Sequence, residues 1–190
     1  MTVRVFLVSS AESEAFGQAR FDDGTSPLTA AGERRARAGA SELPGAGAYS
    51  TASSVRCRRT AHLLGVDAAE QPALRDWDLG RWRGLRLDEV SAAEPEGVAD
   101  WLADPGAAPH GGEALAELCA RVGGWLDGRA PDGGRVLAVV EPAVVRAAVV
   151  HGLGLPPQAF WRMDVLPLTV TELSGRAGRW NLRCGRPLTG

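Results

Sequence analysis

The chain has 190 residues, 45% of them hydrophobic, with 21 basic side chains against 23 acidic ones. That size and balance suit a single domain with a full core, spanning 1–190, and exclude a disordered or strongly nucleic-acid-binding chain. Every basic side chain is Arg, which also excludes Schiff-base lysine chemistry and, with abundant Ala and Gly, fits a GC-rich bacterial genome.

The first element is the apolar run Val3–Val8, a strand buried on both faces that stops at Ser9-Ser10-Ala11-Glu12. Residues Thr29–Leu43 carry helix formers, with Thr29 as N-cap and Pro44-Gly45 as the stop. Ala48–Thr51 reads as a short strand, after which Ser53 or Ser54 caps a helix through Leu64 that ends at Gly65. From Asp76 to Gly84 the composition turns to Trp, Gly, Asp and Arg, a loop with side chains large enough to line a pocket. Helical periodicity returns over Gly112–Leu126. The strand Val136–Val140 follows and stops at Glu141, and Pro142 opens a helix to Leu153. The runs Val165–Leu173 and Arg179–Arg183, separated by Ser174–Gly178, read as a hairpin.

Alternating strands and helices predict an α/β fold, a three-layer α/β/α sandwich on a mostly parallel sheet with a C-terminal antiparallel hairpin. In such sheets ligands sit outside the carboxyl ends of the strands, which directs attention to Ser10 and Glu141. Cys57, Cys119 and Cys184 are odd in number and widely spaced, so reduced, partly buried thiols are expected and no metal or disulfide framework. No stretch approaches the roughly eighteen apolar residues of a membrane span, and no leader pattern opens the chain, so a soluble, cytoplasmic protein without a membrane partner is expected.

Six segments in order carry a family resemblance: Phe6–Ser13, Pro27-Leu28-Thr29-Ala30-Ala31-Gly32, Val55–Ala61, Asp78–Gly84, Gly111-Gly112-Glu113 with Arg121, and Val139–Arg146. The chain resembles the histidine phosphatase superfamily, in its phosphoglycerate mutase-like branch, over nearly its whole length. The resemblance implies that fold and a phosphate pocket in which one histidine carries the phosphoryl group and a second stabilises it. Ser10 stands at the first of those positions and Glu141 at the second. Ser9 stands where the family has a phosphate-clamping arginine, and Arg83 where it has an acidic proton donor. Arg56 keeps the arginine that holds phosphate.

A serine hydroxyl needs a base to act as a nucleophile, and a carboxylate with an ordinary pKa of about 4.3 is a poor one. Exchanging cationic donors for serines and a glutamate removes most of the field that phosphoryl transfer relies on. The expected ligand contacts are Ser9, Ser10, Arg56, Trp82, Arg83, His110 and Glu141, with Glu141 and Ser10 as catalytic candidates. Arg56 either pairs with Glu141 or holds an anionic ligand; Trp77 and Trp82 either stack on a ligand or pack against the domain. Arg146 is expected to brace its helix, and His62 and His151 to lie on helix surfaces.

Two functions follow from these residues. One is a protein without phosphohistidine chemistry that binds a small anionic or polar ligand in the old phosphate pocket. The other is a repurposed lyase or isomerase of bacterial secondary metabolism, with Glu141 as general acid or base on a non-phosphate substrate; residual phosphatase or mutase activity ranks last. No cofactor and no nucleic-acid partner are expected, and a homodimer is left open.

Overall fold

A computed structural model describes residues 2–129, 133–176 and 178–188. Its six-stranded sheet has the order β3-β2-β4-β1-β5-β6. The strands are β1 (Val3–Ser9), β2 (Ala48–Thr51), β3 (Ala69–Glu70), β4 (Gly134–Val140), β5 (Thr169–Arg176) and β6 (Arg179–Pro187). β1 to β4 run parallel, and β5 and β6 add an antiparallel edge. The α-helices are α1 (Glu14–Gly17), α2 (Ala30–Gly39), α3 (Val55–Leu63), α4 (Leu87–Ala93), α5 (Pro95–Ala103), α6 (Leu115–Asp127) and α7 (Pro142–Gly152).

Side chains alternate across the strands and so define two cores. Val3, Val5 and Leu7 of β1, with Ala138 and Val140 of β4, pack with Leu118, Val122 and Leu126 of α6 and Val144 and Ala148 of α7. Phe6 and Val8, with Leu137 and Val139, face the opposite core with Ala36 of α2 and Cys57 and Ala61 of α3. This is the three-layer arrangement expected for a mostly parallel sheet covered on both faces.

The register positions the site. Val3 pairs with Gly134 and Ser9 with Val140, so β1 and β4 end level. Thr51 of β2 pairs with Val139, one residue short of that level. Ser10, Glu141 and the turn at Ser53-Ser54 therefore leave three neighbouring strands at one edge of the sheet.

The start signals act as the sequence suggests. The Thr29 hydroxyl accepts the Gly32 N–H at 2.9 Å, and Ser54 accepts that of Cys57 at 3.2 Å. Gly32 is tied to that geometry, because a Cβ there would lie 2.5 Å from the Glu12 carbonyl oxygen. Thr29→Ala is expected to lower stability by about 1 kcal/mol, read from urea unfolding, because one first-turn N–H loses its acceptor.

Several boundaries differ from expectation. The helix expected from Gly112 begins at Leu115, because Gly111–Glu113 is a loop packed against the Trp-rich segment. The α2 helix gives way at Ala40–Glu42 to a 3-10 turn. The first hairpin strand begins at Thr169, not Val165, and both hairpin strands run on to Arg176 and Pro187. Ala177, in the expected turn, lies outside the described residues. Helices α4 and α5 occupy a stretch in which no element is expected; they carry Val90 and Trp101 into the larger core. Cys57 and Cys119 are buried free thiols.

Candidate functional site

Glu141 sits at the centre of the site. It is the N-cap of α7, fully buried, and its carboxylate reaches toward α3. Oε1 accepts the Ser54 hydroxyl at 2.5 Å, while Oε2 accepts Ser10 at 3.1 Å and the Arg56 Nε at 2.7 Å. Ser54 is itself the N-cap of α3, so the carboxylate lies beside the first turn of that helix. The positive end of a helix is a ready anion site. Here the protein's own carboxylate takes the anion's place.

Arg56 is held on all three nitrogens. Besides Glu141, it donates through one terminal nitrogen to Asp22 and through the other to Asp76 at 3.2 Å. Its side chain is 12% exposed and that of Asp22 5%. Burial pushes the guanidinium down, but Glu141, Asp76 and Asp22 together outweigh it and hold Arg56 above its ordinary range. With all three carboxylates ionised, the cluster carries an excess of two negative charges. Burial, then the charge of Glu141, raises Asp76 to about 7, against the opposing pull of Arg56. A proton on Asp76 relieves part of that excess near neutrality. Cys57, beneath the cluster, is pushed well up by burial and by Glu141, which keeps it a protonated, unreactive thiol.

Two cavities flank these groups. The first, about 240 Å³, is lined by Ser10, Arg56, Asp76, Trp77, Arg146 and Phe21, among others. The second, about 390 Å³ and more polar, shares Asp22, Asp76 and Trp77 with the first and adds Arg58, Arg75 and Arg83. The structure thus brings Ser10, Arg56 and Glu141 together, and it puts Arg83 on the wall of the second cavity. Arg83 is exposed there and donates to the Asp23 carbonyl at 2.5 Å.

Three expected contacts lie elsewhere. Ser9 turns away from both cavities; its hydroxyl donates to the Leu166 carbonyl at 2.6 Å and accepts the Thr169 N–H at 2.9 Å, pinning the chain into β5. Trp82 is fully buried, stacked on Phe21 with ring centroids 5.7 Å apart, and its indole N–H reaches Glu94 at 3.3 Å. His110 is buried behind Trp77 and Trp82, and its Nδ1 accepts the Gly112 N–H at 3.0 Å. Burial lowers the pKa of that ring, so it stays neutral. Both aromatic residues serve the core under the loop, and Trp77 alone of the loop tryptophans lines the cavities.

A brace holds the Trp-rich segment in place. Arg121 makes a bidentate pair with Glu113, both contacts at 2.7 Å, and donates to the Ala73 and Arg75 carbonyls. The Trp77 indole donates to the Glu113 carbonyl at 2.7 Å. A Cβ on Gly80 would come within 2.2 Å of the His110 carbonyl oxygen, and one on Gly112 within 2.2 Å of that of Asp78. The two loops therefore meet backbone to backbone.

Asp22 and Asp76 are the residues that sequence pattern does not mark. Asp22 lies in a loop without a motif; the available signal for Asp76 is that it opens the Trp-rich segment.

A mostly parallel α/β sheet with a polar, helix-capped cluster at the carboxyl edge of its parallel strands defines the class. The chain belongs to the histidine phosphatase superfamily (branch 1), whose family model matches residues 6–185. It is 29% identical to a probable phosphoglycerate mutase of Cronobacter sakazakii, over 94% of this chain and 87% of the relative. It is 28% identical to phosphoserine phosphatase 1 of Hydrogenobacter thermophilus, over 84% and 80%. Among solved structures, a putative alpha-ribazole-5'-P phosphatase from Escherichia coli superposes with a TM-score of 0.87 at 19% identity, covering 98% of this chain and 97% of that one. Among the described residues, no helix is long and apolar enough to cross a membrane.

Proposed function

We propose that this member of the superfamily does not transfer phosphoryl groups through histidine, and that it binds a polar, non-phosphate small molecule in the cavity above Arg56. The observation that carries this reading is the capture of every Arg56 nitrogen by a carboxylate. A phosphate entering there would have to displace Asp22, Asp76 and Glu141 from the guanidinium while being repelled by them. Ser10 and Glu141, at the positions where the resemblance places the two histidines, supply neither an imidazole nucleophile nor a cationic donor. Mutase and phosphatase names among the relatives bear on ancestry; the activity belongs to the site.

The test is turnover of 4-nitrophenyl phosphate. Hydrolysis no faster than in buffer is expected. Turnover that disappears in Ser10→Ala, or a phosphorylated Ser10 found by mass spectrometry, would overturn the reading.

A second reading, acid–base catalysis on a non-phosphate substrate, is favoured by one observation: a carboxyl group raised to about 7 that lines both cavities. In that reading the proton carrier is Asp76. Glu141, the residue that sequence reasoning assigned to this work, is buried among Ser10, Ser54 and Arg56, and its role becomes that of their anchor.

A further inference from the structure

The wall of the first cavity holds a second arginine with different surroundings. Arg146 projects from α7 and lines that cavity with Ser10, Arg56, Asp76 and Trp77. Unlike Arg56 it makes no ion pair among the described residues, and its Nε is buried without a hydrogen-bond partner. Its guanidinium lies over the Phe160 ring at 5.5 Å, which fixes the group without neutralising it. Asp164 acts on it only through its field, and burial lowers the pKa of the guanidinium. An arginine cannot shed its proton at neutral pH, so a half-buried guanidinium whose Nε is buried without a partner is a group that an anion in the cavity would satisfy.

The same cavity is acidic at Glu12, Asp22 and Asp76 and apolar at Trp77 and Phe21. Arg20, also on its wall, is committed to the Gly84 carbonyl and Gln18. One cation without a partner and three acidic side chains around a small apolar volume describe an amphoteric ligand. Planar carboxylates suit a guanidinium bidentately, and an ammonium group suits the excess charge around Arg56.

We infer that Arg146 is the anion-binding residue of the first cavity and that the ligand is a small aminocarboxylate, its carboxylate on Arg146 and its amine toward Asp22 and Asp76. The inference rests on the non-phosphate reading of the cavity and specifies its ligand class. It also relocates the expected anion contact from Arg56 to Arg146.

The test uses three probes of matched shape, 4-(aminomethyl)benzoate, 4-methylbenzoate and 4-methylbenzylamine, with inorganic phosphate as a fourth, titrated calorimetrically into the full chain. The aminocarboxylate is expected to bind most tightly. Arg146→Met is expected to weaken both carboxylate probes by about tenfold or more, as loss of a charge-assisted pair does, and to leave 4-methylbenzylamine unchanged. Arg146→Lys is expected to restore part of the loss, which separates a charge contact from a change in packing. Carboxylate binding that is equal in wild type and Arg146→Met overturns the inference, as does binding of the amine alone or of no probe. Those results leave the non-phosphate reading standing. Tight binding of inorganic phosphate in competition with the carboxylate probes overturns the non-phosphate reading and this inference with it, whereas 4-nitrophenyl phosphate turnover tests the former alone.

Discussion

Arg56→Met is expected to lower stability by about 3–5 kcal/mol at neutral pH, the usual consequence of removing one partner from a buried ion pair. Arg56 is the shared partner of a fully buried Glu141 and a nearly buried Asp22, with Asp76 completing the set. Its removal leaves carboxylates facing one another, with the neutral hydroxyls of Ser10 and Ser54 as donors to Glu141. The double variant Arg56→Met/Glu141→Gln is expected to recover a substantial part of the loss. It deletes the most buried of the orphaned charges, and residues in one network do not act additively. Urea unfolding of the two single variants and the double variant measures this coupling. If Arg56→Met costs less than about 1 kcal/mol, the cluster is effectively solvated. Arg56 would then be available to a phosphate, and the central argument against phosphoryl transfer would fail.

Asp76→Asn is expected to change how stability depends on pH. The folded-state value of Asp76 is about 7 against an ordinary 3.8, so ionising it opposes folding. Its contribution is fully present below about pH 4, is lost progressively as pH rises toward the folded value, and is absent above it. The full difference corresponds to at most about 4 kcal/mol by linkage. An asparagine cannot titrate, so the variant should gain on the wild type between pH 5 and pH 8, while other groups affect both proteins alike. Urea midpoints at the two pH values are the measurement. Parallel profiles would show that Asp76 is ionised throughout, which would also remove the physical basis for assigning it proton transfer.

How far the sequence anticipates this molecule depends on the physical signal each part leaves. β1 and β4 are legible because strands buried on both faces must be apolar throughout, and the caps at Thr29 and Ser54 because few residue types satisfy first-turn N–H groups. Helix α4 is not, because its seven residues bury only Val90, whereas α5 does leave a signal, in Pro95 at its first position and in the helical spacing of Val98, Trp101 and Leu102. Within the site, strand order brings Arg56 near Glu141, but the sequence leaves open whether it pairs with that residue or with a ligand; the structure pairs them. The contribution of Asp22 does not follow from strand order, since it depends on how a motif-free loop folds over α3. The direction of Ser9 leaves no local mark, since it is set by distant backbone groups, the Leu166 carbonyl and the Thr169 N–H, that take up its hydroxyl. Trp82 and His110 show the reverse difficulty, since proximity along a loop does not reveal which side of it faces the cavity.

The backbone contact between the loops at Gly80 and Gly112 has a dynamic consequence. With no side chains to act as spacers, neither loop can lift without breaking the Arg81 N–H to His110 carbonyl bond and the Glu113 N–H to Asp78 carbonyl bond, at 3.0 and 2.7 Å. Local opening of either loop is therefore expected to be coupled to opening of the other, and amides on both loops should exchange with solvent deuterium at a common rate. A ligand that gains entry by loosening Trp77 would loosen Glu113 and Arg121 at the same time, which makes entry to the cavity and the firmness of its far wall a single thermodynamic quantity.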